Sequence, residues 1–572
     1  MSADDAGHDR LDSGPLQEKR STDSARPPSA SYRSHKKTLS GRNGLPAPLP
    51  DSMSTSKVAI IFATALLGAA WLYIDPLARW RSSTRFATHV TDDWVNDVQL
   101  ERLLEKRILE NIGPVVGAGS GLVIASPSVG QGAEPNYYYT WTRDSALTFS
   151  TLIPNFYSSN NTDSPTDGPD ILLREPLFRA YVESQSKLQA VPNPSGDLKT
   201  GGLNEPKFNV NGSAFNGNWG RPQRDGPALR AITVLKYANF LLDRRYPADI
   251  QYLRQWIYNP KRLKSVGPVL KNDLEEVAHG WFKPGFDIWE EVDGYHLFNL
   301  LVSRRALWEG QALASRLGDK EAASYYGLQA QRIGDSLSQF WEGEKLYWKS
   351  SLASLNPGDT VGLNFPQRGW HDCSLPLSII HARSETHLPG NLTSPSFAPS
   401  DADVLASLRA FALSFEGLYR VNGQKKWTES WNLGRYREDV YDGQGTSKAN
   451  PWYLCTYSFA HSLHLAYKDL SERGSITVTQ SSREFWGDVI QSSDVKAGDE
   501  WKQGDGAYDR AMRELLDLGD RYLSRGRYVM RANGDRMSEQ YGRDNFRATG
   551  ARDLTWSYAS LLEAMRLRRT LG

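Results

Sequence analysis

The sequence of 572 residues predicts an all-α fold, preceded by a disordered tail and a single transmembrane helix. Three observations predict this arrangement. Residues 1–57 are polar and show almost no apolar periodicity, residues 58–74 carry no charged side chain, and from about residue 85 onward helix-like segments alternate with long loops. The alternation that is typical of strands is rare. Periodicity leaves open whether the helices form a bundle, a solenoid or a closed double ring.

The first two segments are a tail and an apolar run. Residues 1–57 are rich in Ser, Pro, Asp, Lys and Arg, a composition that cannot bury a core. Residues 58–74, VAIIFATALLGAAWLYI, are at the short end of what spans a bilayer, and Trp71 and Tyr73 lie where an aromatic belt would be. A buried core helix is the alternative, but no globular sequence precedes it, and the leader is too long for a cleaved signal peptide.

We therefore predict an uncleaved signal anchor at 58–74, with the remainder of the chain luminal or extracellular and the vacuole as an alternative compartment. Three N-glycosylation sequons, at Asn160, Asn211 and Asn391, follow the segment and give mild support. A net charge of +1 offers no basic field for nucleic acid. Cys373 and Cys455 allow at most one disulfide bond, and two free buried thiols are an equal alternative.

Helix signals recur from residue 91 to the end. TDDWVNDVQLERLLEKRILENIG begins with a Thr/Asp cap, stops at Gly113-Pro114 and repeats apolar residues at helical spacing, namely Val98, Leu104, Ile108 and Ile112. DLTWSYASLLEAMRLRRTLG shows the same pattern at the end of the chain. Further predicted helices include 225–245, 294–316, 320–341, 401–414, 451–470 and 506–524. Such helices, separated by loops rich in Gly, Asn, Pro and Trp, favour a domain that carries its functional site on the loops.

The stretch FDIWEEVDG, residues 286–294, places three carboxylates around one tryptophan. A lone acidic cluster is most often a solvated turn, because like charges repel and a buried ionised carboxylate is costly. Trp289 and its apolar flanks weaken that interpretation here. A carboxyl group pressed against an indole has a raised pKa and can serve as a general acid. The cluster Asp287, Glu290 and Glu291 is therefore a candidate for acid catalysis.

Other loops share this chemical character. An Arg/Asp pair is usually a structural salt bridge and a Trp is usually core, so each stretch alone is weak. Together they supply a second candidate catalytic carboxylate in Glu539, charged groups that bind hydroxyls, and aromatic rings that stack on sugars. These are the parts of a sugar-cleaving pocket. The stretches are NYYYTWTRDSA (136–146), GNWGRPQRDGPALRA (217–231), LGRYREDVY (433–441), NPWYLCT (450–456) and RMSEQYG (536–542).

Taken together, these stretches resemble the fungal glucoamylases of glycoside hydrolase family 15. The match runs in the same order through nearly all of residues 90–572 and includes YYYTWTRDSA, EPKFNV, WGRPQRDGPALRA, DIWEEVDG, NPWYLCT, MSEQY and ARDLTWSYA. The resemblance implies that 85–572 is an (α/α)6 barrel with its site in the loops at one end of the inner ring. It also implies hydrolysis of terminal α-1,4-linked glucose from non-reducing ends, with inversion. We expect a monomer that needs no cofactor or metal.

The resemblance assigns roles residue by residue. Glu290 is similar to the general acid, and Glu539 to the general base that activates water on the opposite face of the sugar. Asp287 and Trp289 would support the acid, and Tyr137 would lie near Glu539. The residues implied to bind substrate are Tyr137, Trp141, Arg143, Asp144, Trp219, Trp289, Glu291, Arg435, Asp439 and Trp452.

The sequence departs from the family pattern at several places. Gly550 stands where a serine contacts the base, residues 442–449 enlarge the loop before Asn450, and Phe215 replaces a tyrosine. Cys455 matches a core thiol of the family. No starch-binding domain follows the predicted barrel, so we expect maltooligosaccharides, dextrins or glycogen as substrates rather than granular starch.

Three other interpretations compete with hydrolysis of α-1,4-glucans. A membrane-anchored sugar-binding protein that has lost catalysis would need neither Glu290 nor Glu539. An enzyme with a different bond preference would cleave α-1,6-linked glucose or trehalose. The stretches WEEV and EPKFNV favour α-1,4-glucans instead. A purely helical scaffold would leave the polar aromatic loops unexplained.

Overall fold

Fourteen helices cover nearly half of the part of the chain that the structure describes. The computed structural model describes residues 93–153, 169–355, 370–383 and 396–572. The helices are α1 Val98–Leu109, α2 Thr142–Leu152, α3 Pro169–Gln189, α4 Asp225–Arg244, α5 Pro247–Tyr252, α6 Val269–Gly280, α7 Leu297–Arg316, α8 Lys320–Ser336, α9 Ser374–His381, α10 Ala402–Leu413, α11 Tyr453–Arg473, α12 Arg483–Val489, α13 Gly506–Ala532 and α14 Thr555–Arg569.

Six of these helices form a closed ring. In order around the ring they are α2, α4, α7, α9, α11 and α14, and α14 packs back against α2. Six others pack outside it: α1 on α14, α6 on α4, α8 on α7, α10 on α9, α13 on α11, and α3 on α6. Every residue of α2 is buried, as expected for a helix that is covered on all sides. The packing thus selects the closed double ring among the three arrangements left open by periodicity.

Local signals explain where the helices begin and end. Asp97 caps α1 by accepting hydrogen bonds from the backbone N–H groups of Gln99 (2.8 Å) and Leu100 (3.2 Å). The helix therefore begins at Val98, later than the predicted Thr/Asp cap, and Val98 itself is exposed. α11 ends at Gly474, which adopts a left-handed conformation with φ 68°. α13 continues eight residues beyond the predicted end at 524.

Short antiparallel strand pairs lie in the loops. They are β1 Thr140–Trp141 with β2 Lys207–Phe208, β3 Gly285–Phe286 with β4 Asp293–His296 and β7 Ser351–Leu352, β5 Trp341–Glu342 with β6 Tyr347–Trp348, β8 Ser475–Thr477 with β9 Glu500–Lys502, and β10 Gln540–Tyr541 with β11 Ala548–Thr549. Trp141 pairs with Lys207, and Gln540 with Thr549. Three of these pairs carry residues of the candidate site.

Cys373 and Cys455 form a disulfide bond, with their Cα atoms 5.7 Å apart. Cys373 immediately precedes α9, and Cys455 lies in the first turn of α11. These two helices are neighbours in the ring, which brings the two sulfur atoms together. Of the two alternatives that the sequence left open, the structure therefore shows the disulfide bond.

Several predictions concern residues outside the described ranges. These are the tail 1–57, the apolar segment 58–74, and the sequons at Asn160 and Asn391. Among the residues that the structure does describe, no helix combines the length and the apolar character needed to cross a membrane. Asn211 is described and lies in an exposed turn.

Candidate active site

The candidate site is a cavity at the N-terminal ends of the ring helices. The cavity contains about 510 Å³ of space free of protein atoms, part of which is open to solvent. Arg143 and Asp144 lie in the first turn of α2, Trp452 caps α11, and Trp556 lies in the first turn of α14. Nine of the predicted site residues line the cavity: Tyr137, Trp141, Arg143, Asp144, Trp289, Glu290, Arg435, Trp452 and Glu539.

Glu290 lies in the turn of the hairpin formed by β3 and β4. Its backbone has φ 67°, an uncommon conformation for a residue other than glycine. Trp141 Nε1 donates a hydrogen bond to Glu290 Oε1 (2.7 Å), and Arg143 Nη2 donates to the same oxygen (3.3 Å). The carboxyl side chain remains 14% exposed. Two donors from the β1–α2 segment therefore fix the carboxyl group at the edge of the cavity.

Two neighbours of Glu290 hold this turn, as the sequence predicts. Asp287 Oδ1 accepts hydrogen bonds from the backbone N–H groups of Glu291 (2.8 Å) and Val292 (3.0 Å). Trp289 Nε1 donates to both carboxylate oxygens of Asp372, at 2.9 and 3.1 Å. Trp289 is thereby tied to the segment before α9. Both residues therefore position the turn that carries Glu290.

Arg143 is the centre of a buried charge cluster. Its Nη1 donates to Asp225 Oδ2 (3.0 Å) and Gln223 Oε1 (3.0 Å), and its Nε lies 3.5 Å from Asp144 Oδ2. Burial raises the pKa of Asp144 to about 6, although the nearby Arg143 guanidinium lowers it. A charge-paired guanidinium beside a carboxylate in the cavity wall suits the recognition of sugar hydroxyls.

Glu539 lies in a markedly drier environment. The residue is 1% exposed, and burial raises the pKa of its carboxyl group to about 7, while hydrogen bonds from Tyr137 and Tyr441 lower it. Its Oε2 atom has no hydrogen-bond partner. Gly550 packs directly against this atom, since a Cβ at Gly550 would lie 2.4 Å from Oε2. The glycine found in place of serine therefore leaves one carboxylate oxygen without a donor.

Arg435 is the charged residue in another part of the cavity wall. It makes two hydrogen bonds to Asp439 (2.6 and 2.8 Å) and an ion pair with Glu291 Oε1 (2.8 Å). Its guanidinium lies 5.3 Å from the ring centroids of both Trp289 and Trp452. Glu291 and Asp439 do not line the cavity, so they act on it by orienting Arg435. Their contact with substrate stays a prediction.

Lys207 was not predicted as a functional residue. Its ammonium group lies against four aromatic rings, from 3.4 Å for Trp219 to 4.6 Å for Trp141. Burial lowers the pKa of Lys207 to about 8. Trp219 thus belongs to this aromatic cluster behind Trp141 and does not line the cavity. Phe215, which replaces a tyrosine, packs in the same cluster.

Sequence reasoning also missed two aromatic residues of the cavity wall. Tyr441 lines the cavity, and its hydroxyl lies 3.1 Å from the hydroxyl of Tyr137. Trp556 lines the cavity near Arg143, whose guanidinium lies 5.9 Å from its ring. Both residues occur in the stretches LGRYREDVY and ARDLTWSYA, so the motifs contained the signal. Which tyrosine or tryptophan of a motif faces the cavity depends on contacts between distant parts of the chain.

The fold and the site agree with comparisons to known proteins. Residues 101–566 match the family described as "Glycosyl hydrolases family 15". The chain belongs to this family of hydrolases. It is 33% identical over 499 residues to a glucoamylase of Blastobotrys adeninivorans, covering 86% of this chain and 74% of that protein. It is 32% identical over 484 residues to a probable glucoamylase of Schizosaccharomyces pombe, covering 84% of this chain and 92% of that protein.

A solved structure shows the same likeness. The glycoside hydrolase family 15 glucoamylase from Hypocrea jecorina superposes with a TM-score of 0.71 and 34% sequence identity, covering 84% of this chain and 72% of that chain. The glucoamylase from Saccharomycopsis fibuligera gives a TM-score of 0.70 at 28% identity. The second likeness covers 85% of this chain and 98% of that chain.

Proposed function

We propose that this protein is a glucan 1,4-α-glucosidase, a glucoamylase that releases β-D-glucose from the non-reducing ends of maltooligosaccharides, dextrins and glycogen. The observation that carries the proposal is the cavity itself. It collects two carboxyl groups from different loops, Glu290 and Glu539, together with charged groups and aromatic rings. The relatives named as glucoamylases share the family and the fold.

The proposed reaction is a single displacement by water. Glu290, in its protonated form, donates its proton to the glycosidic oxygen, and the bond from C1 to that oxygen breaks. Glu539, in its ionised form, takes a proton from a water molecule, whose oxygen forms the new bond to C1 from the opposite face. The configuration at C1 inverts. This mechanism requires the two carboxyl groups to lie roughly 6.5–9.5 Å apart, so that a water molecule fits.

Other residues hold the sugar in place. Arg143 and Asp144 would bind the hydroxyl groups of the terminal glucose, and Trp289, Arg435 and Trp452 would contact the next residue. Tyr137 would lie against the developing oxocarbenium ion, because it hydrogen-bonds to the proposed base. A proton transfer to the leaving oxygen needs a donor within hydrogen-bond reach, which the fixed position of Glu290 supports.

The test is the configuration of the first product. The full-length protein is mixed with maltotriose, and the anomeric protons are followed by NMR from the first minutes. We expect β-glucose before mutarotation. If α-glucose comes first, the single-displacement mechanism is wrong. If maltotriose binds and no glucose is released, the protein is a sugar-binding protein.

We further propose that residues 58–74 anchor the enzyme in a membrane with the catalytic domain luminal or extracellular. The support is the uncharged apolar sequence and the sequon at Asn211, which lies in an exposed turn. The protein from its native cells is digested with an N-glycosidase, and the gel shift is compared with that of Asn211→Gln. Loss of one shift step in the variant supports the proposed topology. A wild-type protein without any N-glycan contradicts it.

A further inference from the structure

The loop of residues 442–449 is built as a stiff turn. Asp442 Oδ1 accepts hydrogen bonds from the backbone N–H groups of Gln444 (3.0 Å) and Gly445 (2.7 Å), and Ser447 Oγ donates to Asp442 Oδ2 (2.5 Å). The backbone N–H of Asp442 donates in turn to the carbonyl of Gly445 (3.1 Å). A carboxylate that binds three donors in its own loop restricts the backbone conformations that the loop can adopt.

Two further contacts attach this turn to its surroundings. Asn450 Nδ2 donates to the carbonyl of Asp442 (3.1 Å) and lies 3.0 Å from the side-chain amide of Gln540, the residue next to Glu539. On the other side, Gln444 Nε2 donates to the carbonyl of Gly132 (3.1 Å). The loop is therefore fixed both to the β10 segment that carries Glu539 and to the loop before Tyr137.

Gly443 is the residue of this loop that packs against Gly550. Gly443 has φ 98°, and a Cβ there would lie 2.7 Å from both N and Cα of Gly550. Gly550, with φ 72°, lies in turn against Oε2 of Glu539. The backbone N–H of Glu539 donates to the carbonyl of Ala551, the residue after Gly550 (2.7 Å). Two glycines and a carboxylate are thus stacked in contact, with no side chain between them.

We propose that loop 442–449 positions the general base, and that Gly443 is the positioning residue through which it acts. The proposal rests on the proposed function, because it takes Glu539 as the base. A backbone-to-backbone contact is rigid, so Gly443 limits how far Gly550 and the carboxylate of Glu539 can move away from the cavity. It also excludes water from the side of Glu539 that has no hydrogen-bond donor.

The main test is Gly443→Ala with Gly445→Ala as its matched control. Gly443→Ala adds one methyl group that collides with Gly550, whereas Gly445 belongs to the same loop, has no positive φ and has nothing within 4 Å of its added Cβ. We expect kcat for maltotriose to fall at least about 10-fold in Gly443→Ala, since a misplacement of 1 Å can cost about 100-fold. KM should change far less, and Gly445→Ala should match the wild type.

The pH profile separates a positioning role from a structural one. Displacing Gly550 admits water to Glu539, which weakens the burial that raises its pKa from 4.5 to about 7. The acid limb of kcat/KM should therefore move to lower pH in Gly443→Ala and stay in place in Gly445→Ala. A Gly443→Ala protein with wild-type kcat and an unmoved acid limb overturns the proposal.

A second variant decides the matter if Gly443→Ala does not fold. Asp442→Ala removes the carboxylate that holds the turn and adds no bulk. We expect a smaller fall in kcat with the same direction of pH shift, and an unchanged kcat would contradict the proposal. Glu539→Gln distinguishes a failure of the proposed function from a failure of the proposed role of the loop. If it remains active, the proposed base is wrong. If it is inactive while Gly443→Ala and Asp442→Ala behave as wild type, only the role of the loop is wrong.

Discussion

The two carboxyl groups of the cavity lie in opposite kinds of environment. Glu290 is partly exposed and has two positively polarised donors, the indole of Trp141 and the guanidinium of Arg143, on one oxygen. Glu539 is almost completely buried, receives hydrogen bonds from the neutral hydroxyls of Tyr137 and Tyr441, and has one oxygen without a donor. We call the surroundings of Glu290 the charged side of the cavity, and those of Glu539, which is buried against Gly550 and attracted by Arg435, the dry side.

The difference shows how burial can adapt a carboxylate to serve as a base. Burial raises the pKa of Glu539 to about 7 despite these hydrogen bonds, so its ionised form binds a proton more strongly than an exposed glutamate does. General base catalysis is most effective when the pKa of the base lies near the working pH. In the reaction that we propose, the dry side therefore favours proton abstraction from water, and activity falls below neutral pH.

Removal of either carboxyl group should reduce activity more than any other substitution considered below. Glu290→Gln and Glu539→Gln should each lower kcat/KM for maltotriose by about 10²–10⁴-fold, the range typical of general acids and bases. The two variants should differ on α-glucosyl fluoride, whose leaving group needs no proton. Glu290→Gln should regain much of its activity on this substrate, and Glu539→Gln should not. Equal recovery of both variants would break the assignment of acid and base.

Trp141→Phe tests the charged side. It removes the N–H group that donates to Glu290 Oε1 and keeps an aromatic ring. This hydrogen bond strengthens when Glu290 becomes a carboxylate, so kcat should fall about 10-fold, because hydrogen bonds to charged groups contribute about 1.5–3 kcal/mol. Trp281→Phe is the control, since Trp281 Nε1 donates to Gln329 outside the cavity. Equal kcat values for the two variants would show that Trp141 only packs.

Tyr137→Phe tests the dry side through the pH profile. The Tyr137 hydroxyl lowers the pKa of Glu539, so its removal should raise that pKa further above 7. Since the base must be ionised, the acid limb of kcat/KM should move to higher pH, by up to about one unit. Tyr138→Phe serves as the control, because the Tyr138 hydroxyl donates to the carbonyl of Val116. If the acid limb of kcat/KM does not move in Tyr137→Phe, the Tyr137 hydroxyl does not tune the pKa of Glu539.

The sequence predicts the charged side of the site better than the dry side. The FDIWEEVDG and YTWTRDS stretches contain the residues that surround Glu290, and local caps and periodicity place α4 at Asp225–Arg244, close to the predicted 225–245. The dry side depends on contacts over long separations, such as the pair Tyr137 and Tyr441, which are 304 positions apart. The contact of Gly443 with Gly550 is equally non-local, and a glycine leaves no side-chain pattern to interpret.

Replacing the two carboxyl groups should also change the stability of the protein, in opposite directions for Glu539 and Glu290. The pKa of Glu539 is raised on folding from 4.5 to about 7, so its contribution to stability is fully present below pH 4.5 and is lost as the pH rises through about 7. Glu539→Gln should therefore be as stable as the wild type at pH 4 and more stable at pH 8, by up to about 3 kcal/mol. Glu290→Gln breaks an ion pair with Arg143 and should be less stable at pH 8, by about 1 kcal/mol. Urea unfolding of both variants at the two pH values measures these differences, and a destabilised Glu539→Gln at pH 8 would show that its carboxylate has stabilising partners.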